Sequence, residues 1–155
     1  MMNKTLDVRT DVLIVGAGPA GLCLAKALSG HGLSIMMVEQ QKMDVLMNPP
    51  FDGREIALTQ NSANLMKQLG LWERISSQAL SPLRDAHIYD GSSEKAMIIG
   101  HELSTFSELG WLVSNHLIRK AAYESVQDAI DSHQDITIWA VSYTHLRAHE
   151  TDSYL

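Results

Sequence analysis

Gly16, Gly18 and Gly21, followed eighteen positions later by Glu39, are the residues of this chain whose types and spacing could do chemistry. That chemistry is the holding of a diphosphate and a ribose, not covalent catalysis. The glycines stand in the spacing G-x-G-x-x-G within DVLIVGAGPAGLCLAKALSGHGLSIMMVE, residues 11–39. Gly16 permits a tight turn out of a strand, Gly18 lets the backbone approach a pyrophosphate with no Cβ in the way, and Gly21 lets the next helix pack close to the sheet. Pro19 and Ala20 complete the same turn and belong to the site. The helix aims its free N–H groups and positive dipole end at the phosphates. Glu39 would accept hydrogen bonds from an adenosine ribose, and its charge would repel a 2′-phosphate. The pattern therefore favours FAD or NAD over NADP.

The elements that must position these residues follow from periodicity. Val12 to Val15 is a continuous apolar run, the mark of a parallel strand buried on both faces. A helix-period segment runs to Leu28, and Ser34 to Val38 reads as a second strand, so residues 11–39 form a βαβ unit and imply an α/β fold with a parallel sheet. Gln40 to Gly53 has no periodicity and reads as a loop. Thr59 looks like the N-cap of a helix carrying Ala63, Leu65, Met66 and Leu69, stopped by Gly70. A short amphipathic piece, Leu71 to Ile75, follows. Asp85 to Tyr89 and Lys95 to Ile99 flank Asp90-Gly91 as a hairpin. Leu109 to Val113 is a further strand, His116 to about Ser132 an amphipathic helix, and Ile136 to Ala140 a last strand that leaves a sheet edge open.

Composition sets the bounds. At 155 residues and 45% hydrophobic content the chain is one globular domain or part of a larger one. A net charge of −6 with no basic run gives no electrostatic footprint for nucleic acid. The single cysteine, Cys23, excludes an intramolecular disulfide and falls in the first helix as a small core residue. The N-terminus is polar and has no signal-peptide core, and the most apolar stretch is broken by glycines, Pro19 and Lys26, against a membrane span. Contact with a membrane surface stays open. His87, His101, His116 and His133 lack metal-type spacing.

Residues 141–155 stand apart. VSYTHLRAHET resembles one reading frame through a transposon-type sequencing adapter, which makes residues 141–155 a non-native tail and residues 1–140 the N-terminal part of a nucleotide-binding domain. Without Arg147, Glu150 and Asp152 the net charge moves from −6 to −5. The His145/His149 pair is assigned no function.

Three segments then align with one family. FDGREIALT (51–59), LGLW (69–72) and GWLVSNHLIR (110–119), together with the glycine turn, resemble the N-terminal portion of the FAD-dependent aromatic-ring hydroxylases of ubiquinone biosynthesis. FDGREIALT in particular resembles the branch acting on demethoxyubiquinol-type precursors. The resemblance covers Asp11 to Ala140 and implies a Rossmann-like FAD-binding domain, here truncated. It implies that Gly16, Gly18, Gly21 and Glu39 hold the ADP half of FAD, and that Arg54 lies beside the flavin and its phosphates, where its fork suits a pyrophosphate. A surface arginine in a polar loop is the competing reading. Ser114 and Asn115 fall where the family has a polar side chain near the flavin, and Asn115 reads equally as the N-cap of its helix. Arg119 reads as a solvated or structural charge.

The implied reaction is reduction of the flavin by NADH or NADPH, addition of O2 to form a C4a-hydroperoxide, and oxygen transfer to a polyprenylated aromatic substrate, with no side-chain nucleophile. The implied location is cytoplasmic, peripheral on the inner face of the membrane or within a biosynthetic complex. Later Asp-Gly and Gly-Asp flavin segments of the family are absent, so the chain is expected to be inactive alone. The alternatives are another flavoprotein with the same opening, such as a polyprenyl reductase or a halogenase, or a nucleotide-binding module without catalysis.

Overall fold

The computed structural model describes residues 8–91, 95–103 and 105–140; the adapter-like tail, with His145 and His149, lies outside the described residues. The elements run β1 (Val12–Val15), α1 (Pro19–Leu28), β2 (Ile35–Glu39), α2 (Met43–Met47), β3 (Glu55–Thr59), α3 (Gln60–Gln68), β4 (Ser81–Leu83), β5 (Asp85–Tyr89), β6 (Ala96–Gly100), β7 (Gly110–Ser114), α4 (Asn115–His133) and β8 (Ile136–Ala140).

Alternation along the strands decides where the core sits. β1, β2 and β8 form a parallel sheet in the order β1-β2-β8, with Val12 opposite Ile35 and Ile35 opposite Ile136. Because successive side chains point to opposite faces, Val12, Ile14, Ile35, Met37, Ile136 and Ile138 share one face. This is the face that packs into the core. α1 and α4 pack on each other and against this sheet. α1 buries Leu22 and Ala25 there, and α4 buries Ile118, Ala121, Ala122, Val126 and Ala129, a stripe at helical spacing. The buried hydroxyl of Ser125 donates to the Leu69 carbonyl at 2.7 Å and ties α4 to the end of α3.

A second, antiparallel sheet has the order β3-β7-β4, and β5 and β6 pair as the expected hairpin. β7 runs straight into α4, so this sheet fixes the start of that helix. Thr59 caps α3, its Oγ1 accepting from the Ser62 amide at 3.2 Å.

Four expectations need correction. β1 is buried on one face only, since Leu13 is 57% and Val15 77% exposed; among the described residues no element covers that side. The stretch from Gln40 to Gly53 contains α2, five residues that bury Leu46, too short to show a period. β3 and β4 were not expected. β3 carries its apolar alternation on Ile56 and Leu58 alone, and β4 contains Pro82, tolerated because β4 is an edge strand. Asn115 is not the cap of α4. Ser114 occupies that place with no side-chain bond to the helix, its hydroxyl donating instead to Glu55 Oε1, and Asn115 turns elsewhere.

Candidate dinucleotide site

The turn between β1 and α1 builds the floor of the site. Gly16 sits at φ +101°, a conformation that L side chains rarely adopt, and its amide donates to the Val38 carbonyl at 2.8 Å. A Cβ on Gly21 would stand 2.2 Å from the Gly16 carbonyl oxygen and 3.3 Å from Cγ2 of Ile14, so only glycine allows α1 to start this close to the strand. At Gly18 a Cβ would meet nothing within 4 Å. Gly18 caps α1 in an extended conformation, Pro19 occupies the first helical turn, and that turn carries no acidic residue. The first-turn amides of a helix have no partner within the helix. They are left here at the positive end of the dipole, with the Glu39 carboxylate on the Ala17 amide just ahead of them.

Glu39, at the end of β2, is 8% exposed. Its Oε2 accepts from the Ala17 amide at 2.6 Å and its Oε1 from the Gln41 amide at 2.8 Å. The carboxylate is thus fixed against the glycine turn, and each oxygen keeps a further lone pair for a hydroxyl.

A cavity of about 300 Å³ opens beside this turn, lined by Ala17, Gly18, Pro19, Glu39, Arg54 and Asn115, with Gln40, Gln41 and Arg119 completing the wall. The structure thereby brings together Gly18, Pro19, Glu39, Arg54 and Asn115 from four separate elements or loops. Gly16 and Gly21 shape the turn behind. Ala20 lies on the neighbouring apolar groove with Cys23, whose thiol is pushed up by burial.

Two groups on or behind the wall escaped the sequence reading. Of the two readings of Arg119, a solvated or a structural charge, the second fits its bond from Nη2 to Oε1 of Gln41 at 2.6 Å, and its place on the cavity wall is what went unread. No local pattern links residues so far apart in the chain. Asp52 accepts from Nε and Nη2 of Arg54, at 2.9 and 2.6 Å, and from Nδ2 of Asn115 at 2.7 Å. Those bonds, Asn115's first and Arg54's next, hold the Asp52 carboxyl well below the usual carboxylate range. The sequence signal was the spacing Asp52-Gly53-Arg54, in which Gly53 at φ +70° turns the chain back. Among the described residues no group of three or more His, Cys, Asp or Glu side chains could hold a metal ion.

An anion at the start of α1 would meet free amides and two guanidinium groups, and a ribose beside it would meet a fixed carboxylate. That is the donor set an adenosine diphosphate requires. Fold and site together define a dinucleotide-binding domain of the Rossmann-like α/β class. The chain belongs to the FAD-binding domain family, whose sequence model matches residues 9–146.

It is 45% identical over 125 residues to the ubiquinone hydroxylase UbiM of Neisseria meningitidis, covering 78% of this chain and 27% of that protein. It is 30% identical over 120 residues to the ubiquinone hydroxylase UbiL of Rhodospirillum rubrum, covering 77% and 28%. The chain thus spans little more than a quarter of the length of these relatives. Among solved structures, a flavin-dependent brominase superposes with a TM-score of 0.64 over 87% of this chain and 30% of that one, at 19% identity, a likeness of fold alone.

Proposed function

We propose that residues 8–140 form the ADP-binding half of the FAD site of a monooxygenase that hydroxylates the aromatic ring of a polyprenylated ubiquinone precursor. The observation that carries the cofactor reading is the convergence, in one cavity, of the α1 N-terminus, Glu39, Arg54 and Asn115. In this reading Glu39 accepts from the ribose hydroxyls. The Gly18 turn and α1 amides receive the diphosphate, and Arg54 neutralises it from across the cavity. Asn115 and Arg119 stand on the same wall, toward the rest of the flavin. FAD, when bound, supplies the oxygen-activating chemistry, with NADH or NADPH as electron donor and O2 as co-substrate. The chain's own residues bind and orient it; none acts as a nucleophile.

The substrate reading rests on the resemblance to two ubiquinone hydroxylases. No described helix is long and apolar enough to cross a membrane. A polyprenylated substrate implies that the whole enzyme works against the inner membrane face, as a peripheral protein.

The test is a chimera in which residues 11–140 replace the matching segment of the N. meningitidis relative, in cells lacking their own ring hydroxylase. The expected result is a chimera that purifies with FAD and restores the hydroxylated quinone by mass spectrometry. A folded, FAD-bearing chimera that leaves the precursor unhydroxylated overturns the substrate reading. A folded chimera without FAD overturns the cofactor reading.

A further inference from the structure

Asp52 does not line the cavity, yet it holds two residues that do. Three side-chain donors converge on its Oδ2: Nε of Arg54 at 2.9 Å, Nη2 of Arg54 at 2.6 Å and Nδ2 of Asn115 at 2.7 Å. Its Oδ1 accepts from the Arg54 amide at 3.2 Å. The two partners belong to different parts of the chain, the entry to β3 and the first residue of α4. The backbone closes the same join, the Asn115 amide donating to the Arg54 carbonyl at 2.8 Å.

An exposed ion pair between near neighbours is ordinarily worth little. Two features set this one apart. Asn115 is only 8% exposed, so its amide group is a buried donor that Asp52 satisfies. The guanidinium is gripped by one edge only. Arg54 presents five N–H donors in a rigid fork. With Nε and one Nη2 hydrogen committed to Asp52, the Nη1 edge and the second Nη2 hydrogen are left for a ligand. The Arg54 side chain is 67% exposed and would otherwise wander; ordering it beforehand removes an entropic cost from binding.

We infer that Asp52 is a positioning residue of the dinucleotide site, anchoring Arg54 and Asn115 from behind so that the free guanidinium edge faces the place of the diphosphate. The inference rests on the FAD reading above. It predicts that Asp52 acts on affinity only through its two partners.

The test is FAD affinity of the 155-residue chain, read from flavin fluorescence on titration, in a mutant cycle. Asp52→Ala should weaken binding about tenfold, the scale of one charge-assisted hydrogen bond. In an Arg54→Ala/Asn115→Ala background the same substitution should change nothing further. Wild-type-like affinity in Asp52→Ala, or an equal loss in both backgrounds, overturns the inference while leaving the FAD reading intact. Failure of the folded wild-type chain to bind FAD overturns the FAD reading and this inference with it. The latch has its own readout. In nitrogen-15 NMR spectra at neutral pH, Arg54 Nε–H should exchange slowly in wild type and fast in Asp52→Asn. Fast exchange in wild type overturns the inference whatever FAD does.

Discussion

At the scale of single residues, the three glycines of the turn do different work, and substitution separates them. An alanine Cβ at Gly21 meets a backbone carbonyl at 2.2 Å, so strand and helix must part. Gly21→Ala should cost about 1–3 kcal/mol of stability, as overpacking does. Gly18, with an extended φ of −74° and open space where a Cβ would stand, should accept alanine with its melting temperature unchanged. Its new methyl group then occupies the room of the diphosphate, so Gly18→Ala should lose FAD affinity alone. Paired melting curves and FAD titrations of the two variants check this, and a large melting shift in Gly18→Ala would contradict it. The glycines and Glu39 were legible in the sequence because one strand–helix–strand unit, residues 11–39, contains them all. Asp52 and Arg119 were not. Asn115 meets Asp52 only when β7 and α4 pack beside β3, and Gln41 meets Arg119 only when α4 packs beside the chain between β2 and α2, so the spacing Asp52-Gly53-Arg54 was the one local trace. Asp52 also sets a pH dependence. Its carboxyl is held below the ordinary range, so the latch is charged above the unfolded value and is lost only as pH falls through the lower folded one. The chemical shift of Arg54 Nε–H should therefore keep its latched value on titration from neutrality to below about pH 4. A change of that shift centred near about pH 4, where an ordinary Asp titrates, would show that the carboxylate is not held.

At the scale of elements, the helix signals in the sequence translated well because caps are local chemistry. Thr59 Oγ1 receives the Ser62 amide as its place before an apolar-periodic run implied. Thr59→Ala should destabilise the chain by about 1 kcal/mol. Thr59→Ser, which keeps the acceptor, should restore most of that, both read from urea midpoints at constant slope. Equal midpoints for alanine and serine variants would remove the cap from the account. Where the signal was not local, the reading failed. Asn115 looks like a cap by type and place, yet Ser114 holds the cap position and the Asn115 side chain turns its Nδ2 to Asp52. β4 was invisible because Pro82 argues against a strand in general, and only the β3-β7-β4 order reveals an edge that tolerates it. α2 packs one buried leucine and spans too few residues to show a period.

At the scale of the whole molecule, the parallel sheet presents two unlike faces. One is sealed by α1 and α4; the other carries Leu13, Val15 and Trp139, at 57%, 77% and 37% exposure. The βαβ pattern predicted strands buried on both sides, and the residues of β1 are those of such a strand. On the second side Val38 of β2, in register between Val15 and Trp139, is buried at 7%, so the exposure lies on the flanking strands β1 and β8. A contiguous apolar face of this kind binds hydrophobic dyes and lowers solubility. The same strand supplies an internal control, since Ile14, between Leu13 and Val15, points the other way and is 7% exposed. Val15→Thr should reduce dye binding and raise solubility with stability held within about 0.5 kcal/mol, because its side chain already meets water. Ile14→Thr buries a hydroxyl in the core and should cost about 1–3 kcal/mol without lowering dye binding. Calorimetry and dye fluorescence on the two variants decide the matter. If Val15→Thr is as destabilising as Ile14→Thr, the outer face of β1 is covered in solution and the strand is buried on both sides.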